Sequence, residues 1–224
     1  MLELREKEIL RVLERIKELN FVLIGGYAIN SYTQPRFSVD CDLVSLNKED
    51  AEKIKNALME EGYAEKELPP NMPYTGQFLC LAKKIGEYKI PFDILIGGVI
   101  DRKTGSKFPA KWIYDNSEVR VLQGKSMPAK IKLRIAKPDA LIIMKIASGR
   151  KSDLRDVFML LEKEINPGFV MQEIKKHDLS EKLGRFKEYI ASKGFRDSLQ
   201  GVFGKVDEAA FKRIAGRVER LAAG

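Results

Sequence analysis

Apolar residues recur along the chain with two different periods. At Leu2, Ile9, Leu10, Leu13, Ile16 and Leu19 the spacing is helical, with charges between, which predicts an amphipathic helix over residues 2–19 packed on a core. Phe21–Ile24 is a continuous apolar run bounded by Gly25-Gly26, the pattern of a short buried strand. Residues 27–32 allow a short helix that ends before Gln34-Pro35, because proline disfavours a helical residue before it. Val39–Val44 then reads as a second strand. Val39, Cys41 and Leu43 face a core, and Asp40 and Asp42, two apart, share the other face.

Asn47 is placed to cap a helix over 48–62, with acids in its first turn and Gly62 as its stop. Residues 63–75, with Pro69, Pro70 and Pro73, read as irregular. Phe78–Ala82 and Tyr88–Ile96 read as strands joined by a turn around 84–87. In the second, Ile90, Phe92, Ile94 and Ile96 take one face, leaving Asp93 on the other. Residues 97–111 look like a loop, 112–122 allow either a short helix or a strand, and Ile131–Ile135 reads as a strand.

From Pro138 onward the pattern is helical. Proline at the start of a helix over 139–147 does no harm, since its missing N–H has no intrahelical partner there. Gly149 and Ser152 divide this helix from the next, with Ser152 as N-cap; that one runs on over 156–165 to a break at Asn166-Pro167-Gly168. Three more helices are expected over 170–176, 181–192 and 207–223, with Phe186, Tyr189, Phe195, Phe203 and Phe211 as core. The expected fold class is α/β (α+β): a mixed sheet flanked by helices over 1–137, then a helical bundle over 138–224.

Charge changes this picture in one place. The net charge of +8 is not spread evenly: residues 1–100 carry −3, residues 101–155 carry +9 and residues 156–224 carry +2. A basic segment of this kind suits triphosphate or nucleic-acid binding. No apolar run is long enough to cross a bilayer, and MLELREKEIL lacks the apolar core of a signal peptide, so a cytoplasmic location is expected. Cys41 and Cys80 lie in apolar strand patterns and read as buried thiols. With one histidine, His177, a His-rich metal site is excluded.

The candidate chemistry sits in residues 21–45. Two carboxylates on one side of a strand repel each other unless a cation sits between them. Hard divalent ions such as Mg²⁺ take such oxygens and keep waters and phosphates as their other ligands. The Gly25-Gly26 pair, free of side chains at the start of a helix, lets phosphate oxygens approach backbone N–H groups.

Gly25-Gly26-Tyr27-Ala28, followed by Arg36-Phe37-Ser38-Val39-Asp40-Cys41-Asp42-Leu43, resembles the nucleotidyltransferase fold of the DNA polymerase beta superfamily, and most of all its AbiEii-type, toxin-like branch. The resemblance covers residues 20–160. It includes Lys145…Arg150-Lys151-Ser152-Asp153-Leu154-Arg155-Asp156, similar to the Lys…Arg-Lys-x-Asp-Leu-x-Asp signature of that branch. It implies a transferase that moves an NMP from an NTP to an acceptor hydroxyl on RNA or tRNA, a protein or a small molecule, using Mg²⁺ or Mn²⁺. Asp40, Asp42 and Asp93 would be catalytic and hold the metal. Gly25, Gly26, Arg36, Ser38, Lys145, Arg150 and Lys151 would bind the nucleotide, with Asp153 or Asp156 orienting the cations. One departure stands out: many members carry Gly-Ser, and Gly26 lacks that hydroxyl. The alternatives are a non-catalytic module that binds nucleic acid or a partner on the same fold, possible within a toxin–antitoxin pair, and, for the basic cluster, a plain interhelical salt-bridge network.

Overall fold

The helical spacing at the N-terminus does yield a helix. In the computed structural model of the protein, which describes residues 2–67, 77–128 and 130–223, helix α1 (Leu2–Ile16) buries Ile9, Leu10, Val12, Leu13 and Ile16. There follow β1 (Val22–Ile24), α2 (Gly25–Asn30), β2 (Cys41–Ser45), α3 (Lys48–Glu60), β3 (Ala64–Glu65), β4 (Phe78–Ile85) and β5 (Tyr88–Ile96). A small hairpin, β6 (Gly98–Ile100) and β7 (Lys107–Pro109), leads to α4 (Ala110–Asp115), β8 (Ser117–Val121) and β9 (Lys132–Ala136). Asn47 caps α3 as its position suggests, its side chain accepting from Asp50 N at 2.8 Å.

Seven strands make one sheet in the order β3-β4-β5-β2-β1-β9-β8. β2 runs parallel to β5 and β1 parallel to β9, while the remaining pairs are antiparallel, so the sheet is mixed. The β2–β5 register sets Cys41 beside Phe92, Asp42 beside Asp93 and Leu43 beside Ile94. Cys41, Leu43, Phe92 and Ile94 are fully buried, and α1 and α3 pack against β5, with α3 also reaching β2. Burial of this one face at roughly 1.5–3 kcal/mol per large apolar side chain fixes the register, because a slip by one residue would turn the aspartates inward.

Several expectations need correction. β2 starts at Cys41, so Val39 is not a core residue; it is 56% exposed, and Asp40 lies on the approach to the strand. Residues 97–111 are not a plain loop but hold the β6–β7 hairpin, and residues 112–122 supply both a helix and a strand. Cys80 is half-buried where a buried thiol was expected, whereas Cys41 is buried. The irregular segment expected over 63–75 contains the short β3, and from residue 68 it lies outside the described residues.

The chain divides into two compact units. The first takes in Met1–Ser31, Pro35–Ile100 and Lys107–Ala136; the second takes in Tyr32–Gln34, Asp101–Ser106 and Lys137–Gly224. Most of the second is helical: α5 (Pro138–Ser148), α6 (Lys151–Leu160), α7 (Pro167–Lys176), α8 (Ser180–Ile190), α9 (Lys193–Phe203) and α10 (Glu208–Ala223). Gly149 ends α5 in the left-handed conformation, φ 63°. Ser152 is not the cap of α6, which begins one residue earlier after Arg150 and stops at Leu160 instead of running to 165. Helix α9 was hidden in the sequence. Ser192, read as the end of one helix, caps the next by accepting from Phe195 N at 3.1 Å. Phe158, Phe195 and Phe211 stack in the centre with ring centroids 4.8 to 6.4 Å apart, and Phe186 and Phe203 are buried with them. No described helix is long and apolar enough to cross a membrane.

One carboxylate of the first unit is structural. Glu6 is 1% exposed, and it accepts from Lys125 N, from Ser126 N at 2.8 Å and from Ser126 Oγ at 2.6 Å, so α1 ties down the loop after β8. Glu6→Ala would remove the buried acceptor of two backbone N–H groups and a hydroxyl and free the loop after β8. It should lower stability in chemical denaturation by at least about 1–3 kcal/mol, and Glu6→Gln, which keeps an acceptor oxygen, should lose less.

Candidate active site

The site begins where β1 ends. Gly25 and Gly26 form the first residues of α2, and Gly25 has φ 67°, a conformation that side chains make costly. Space forbids a side chain there as well. A Cβ on Gly25 would stand 2.0 Å from Asp42 Oδ2. Ile24 pairs with Asp42 across the β1–β2 ladder, so the glycine backbone is pressed against this carboxylate by the sheet itself. The glycine at 25 is what lets a helix start and a carboxylate occupy one place.

Asp40, Asp42 and Asp93 come together beside it. Each offers a carboxylate oxygen within 4.8 Å of the others, and all three are half-buried. Asp42 and Asp93 are direct register neighbours; Asp40 arrives from the loop before β2, not from a strand position. Their negative field reaches both faces of the sheet. Cys41, buried on the far side, has its thiol pushed well above the usual range by burial and then by Asp42, Asp40 and Asp93. Cys80, paired with Asp93 on β4, is pushed up to about 12 by burial, by the Asp93 charge and by its hydrogen bond to Asp93. Three oxygens of hard carboxylate character, converging beside a backbone cradle that a Cβ would fill, fit a hard divalent cation such as Mg²⁺ or Mn²⁺.

The other sequence candidates of the first unit cluster on α2. A Cβ on Gly26 would stand 2.2 Å from Ser38 Oγ and 3.3 Å from Arg36 Nη1. Ser38 Oγ also donates to Asp40 Oδ1 across a long 3.4 Å. Arg36 Nη1 donates to Phe37 O at 3.0 Å, which holds the guanidinium close to its own loop. Two residues here escaped the sequence reading. Asn30 holds the loop at Arg36, and Cys80 touches Asp93. Asn30 carried a signal, a polar residue closing an apolar helix, since buried amides persist only when hydrogen-bonded. Cys80 carried none, because its role follows from a strand pairing.

Lys145, Arg150 and Lys151 belong to the second unit. Lys145 is an ion-pair centre: its Nζ lies 2.7 Å from Asp153 Oδ1 and 2.9 Å from Asp156 Oδ2. Burial works to lower its pKa, but Asp156 and Asp153 outweigh it, and the net direction is up. Ser148 Oγ donates to the second oxygen of Asp153 at 2.6 Å. Lys151 Nζ sits 5.8 Å from the centre of the Tyr189 ring, and Arg150 is exposed at the start of α6.

Comparison with known proteins adds to this geometry. The family model described as nucleotidyl transferase AbiEii toxin, type IV toxin–antitoxin system, matches residues 10–223. Two solved structures are similar to the chain, each at 17% identity over 98% of this chain and with a TM-score of 0.45. One is a Helicobacter pylori protein described provisionally as a nucleotidyltransferase, of which 92% is covered; the other is JHP933 from the same organism, of which 90% is covered. No curated protein matches the chain. The family match takes in the glycine pair, the three aspartates and the Lys145–Asp156 cluster together, and the chain belongs to the AbiEii nucleotidyl transferase toxin family.

Proposed function

We propose that the protein is a metal-dependent nucleotidyltransferase that moves an NMP from an NTP to the hydroxyl of a macromolecule, RNA or protein. The observation that carries this reading is the convergence of Asp40, Asp42 and Asp93 beside the Gly25 backbone. A pure anion-binding module has no use for three carboxylates in its groove, which is why the catalytic reading is preferred to the non-catalytic one. The catalytic role falls to residues 1–137, and residues 138–224 form the accompanying helical domain.

In this reading Asp40, Asp42 and Asp93 hold Mg²⁺ or Mn²⁺. When bound, the metal offsets charge that builds on the attacking and leaving oxygens. Gly25 and Gly26 present backbone N–H groups of α2 to the β and γ phosphates. Arg36 and Ser38 add a cation and a hydroxyl on the same side. Asp93, next to Cys80 on the β4 side, takes the acceptor side and draws the hydroxyl proton away as the bond to the α phosphorus forms. Pyrophosphate leaves. Lys145, Arg150 and Lys151 are proposed as nucleotide-binding cations on the strength of the family signature that they carry.

Asp42→Asn tests the metal seat. It keeps shape and removes charge, so the metal-free protein should melt at the same temperature as wild type or slightly higher, because repulsion with Asp40 and Asp93 is relieved. Stabilisation by Mg²⁺-NTP should disappear, and transfer of label from α-labelled NTP into cell-extract macromolecules should fall by at least about a hundredfold. Equal ligand-induced stabilisation in both proteins, from a lower baseline in the variant, would sink the metal-site assignment.

The basic cluster needs a divided test. Arg150→Ala with Lys151→Ala should weaken NTP binding and flatten its salt dependence while the melting temperature stays near wild type. Lys145→Met takes the Lys145 cation from buried Asp156 and half-buried Asp153 and should cost about 3–5 kcal/mol of stability. If the double variant binds NTP as wild type does, the cluster is an internal salt-bridge network.

A further inference from the structure

We propose that Asn30 is a positioning residue: it registers the loop that carries Ser38, so that the phosphate cradle takes its hydroxyl from Ser38, in the space that a side chain at position 26 would fill. The inference rests on the nucleotide-binding reading of the glycine pair. It supplies the hydroxyl that Gly26 lacks.

The geometry begins with Asn30. It is the last residue of α2 and fully buried. Both ends of its amide are used on one residue of the loop: Nδ2 donates to Arg36 O at 2.8 Å, and Oδ1 accepts from Arg36 N at 3.0 Å. This is the two-bond pattern that a neighbouring strand would make with residue 36. Asparagine is a weak helix former, and burying its amide is costly unless both groups are bonded. The loop backbone satisfies both.

Gly26 and Asn30 are four residues apart on α2, so they share a face. The loop lies along that face. Asn30 fixes residue 36, and two residues later Ser38 reaches Gly26, where its Oγ would be 2.2 Å from any Cβ. Ser38 is 8% exposed and its Oγ lies 3.4 Å from Asp40 Oδ1, so the same hydroxyl stands between the glycine pair and the carboxylates. A serine at 26 and the serine at 38 exclude each other. The chain keeps one hydroxyl in the cradle and mounts it on the loop, and only a fixed register of that loop keeps it there. Aspartate at position 30 has no N–H for Arg36 O, and its charge would face a carbonyl oxygen.

The test uses the full chain, Mg²⁺ and each of the four common NTPs, with binding measured by calorimetry, so that no acceptor is required. Ser38→Gly should weaken binding of the preferred NTP by roughly tenfold to a hundredfold, the loss of one hydrogen bond to a charged group. Gly26→Ser alone should weaken it at least as much, through the clash with Ser38. Gly26→Ser combined with Ser38→Gly returns the hydroxyl from the helix side and should restore binding to within about threefold of wild type. Asn30→Asp should weaken binding more in the wild-type background than in the Gly26→Ser/Ser38→Gly background, where it still displaces Arg36 but no longer the cradle hydroxyl. Asn30→Ser, which is smaller and uncharged, should show the same background dependence if the aspartate variant does not fold. Equal losses from the Asn30 variants in both backgrounds, tracking melting temperature, would make Asn30 merely structural and overturn the proposal. So would a Ser38→Gly protein that binds like wild type. Wild type that binds none of the NTPs would instead overturn the nucleotide-binding reading and this inference with it.

Discussion

The arrangement depends on one close approach: the Gly25 backbone against the Asp42 carboxylate. A Cβ on Gly25 would stand 2.0 Å from Asp42 Oδ2, so the carboxylate can lie there only because residue 25 has no side chain. The β1–β2 ladder forces the contact by pairing Ile24 with Asp42, and the buried face of β2 and β5 forces the ladder into that register. The burial of Cys41, Leu43, Phe92 and Ile94 on one side of the sheet therefore determines what faces out on the other. Asp42 and Asp93 are placed by their apolar neighbours.

A group of like charges held this way is not at rest. Three carboxylates within 4.8 Å repel, and the β2–β5 pairing prevents Asp42 and Asp93 from parting. The raised pKa of both cysteines that flank them, Cys41 below the sheet and Cys80 beside Asp93, reflects burial together with that field. A cation of high charge density relieves the repulsion and gains from it. Structural carboxylates elsewhere in the chain are treated differently. Glu6 is satisfied by backbone N–H groups, and Glu8 is held below the usual carboxylate range by Arg11, against the opposing effect of burial, with help from Lys83.

Much of this was legible in the sequence. Asp40-x-Asp42 after a glycine pair, and Asp93 among alternating isoleucines, are local patterns, and the strands that carry Asp42 and Asp93 follow from period-two alternation. What escaped was set by contacts between distant residues. Val39 looked like a core position, yet the loop held by Asn30 reaches the sheet only at Cys41, so Val39 stays in solvent. The β6–β7 hairpin was concealed by Gly97 and Gly98, whose positive φ values serve a turn between strands and whose composition reads as loop. Helix α9 was missed because Gly194 and Ser192 look like interruptions, although Ser192 is its cap. Gly26 and Ser38 both stood out in the sequence, but that Ser38 Oγ lies where a side chain at position 26 would go was visible only in the fold.

Asp40, Asp42 and Asp93 are proposed to form one metal seat. Crystals of the protein soaked in Mn²⁺ and recorded for anomalous scattering test it most directly. A shared seat gives a difference peak ligated by a carboxylate oxygen of all three aspartates, present in wild type and lost in Asp93→Asn. A strong peak elsewhere with none at this site, or a peak here that survives Asp93→Asn unchanged, would contradict it.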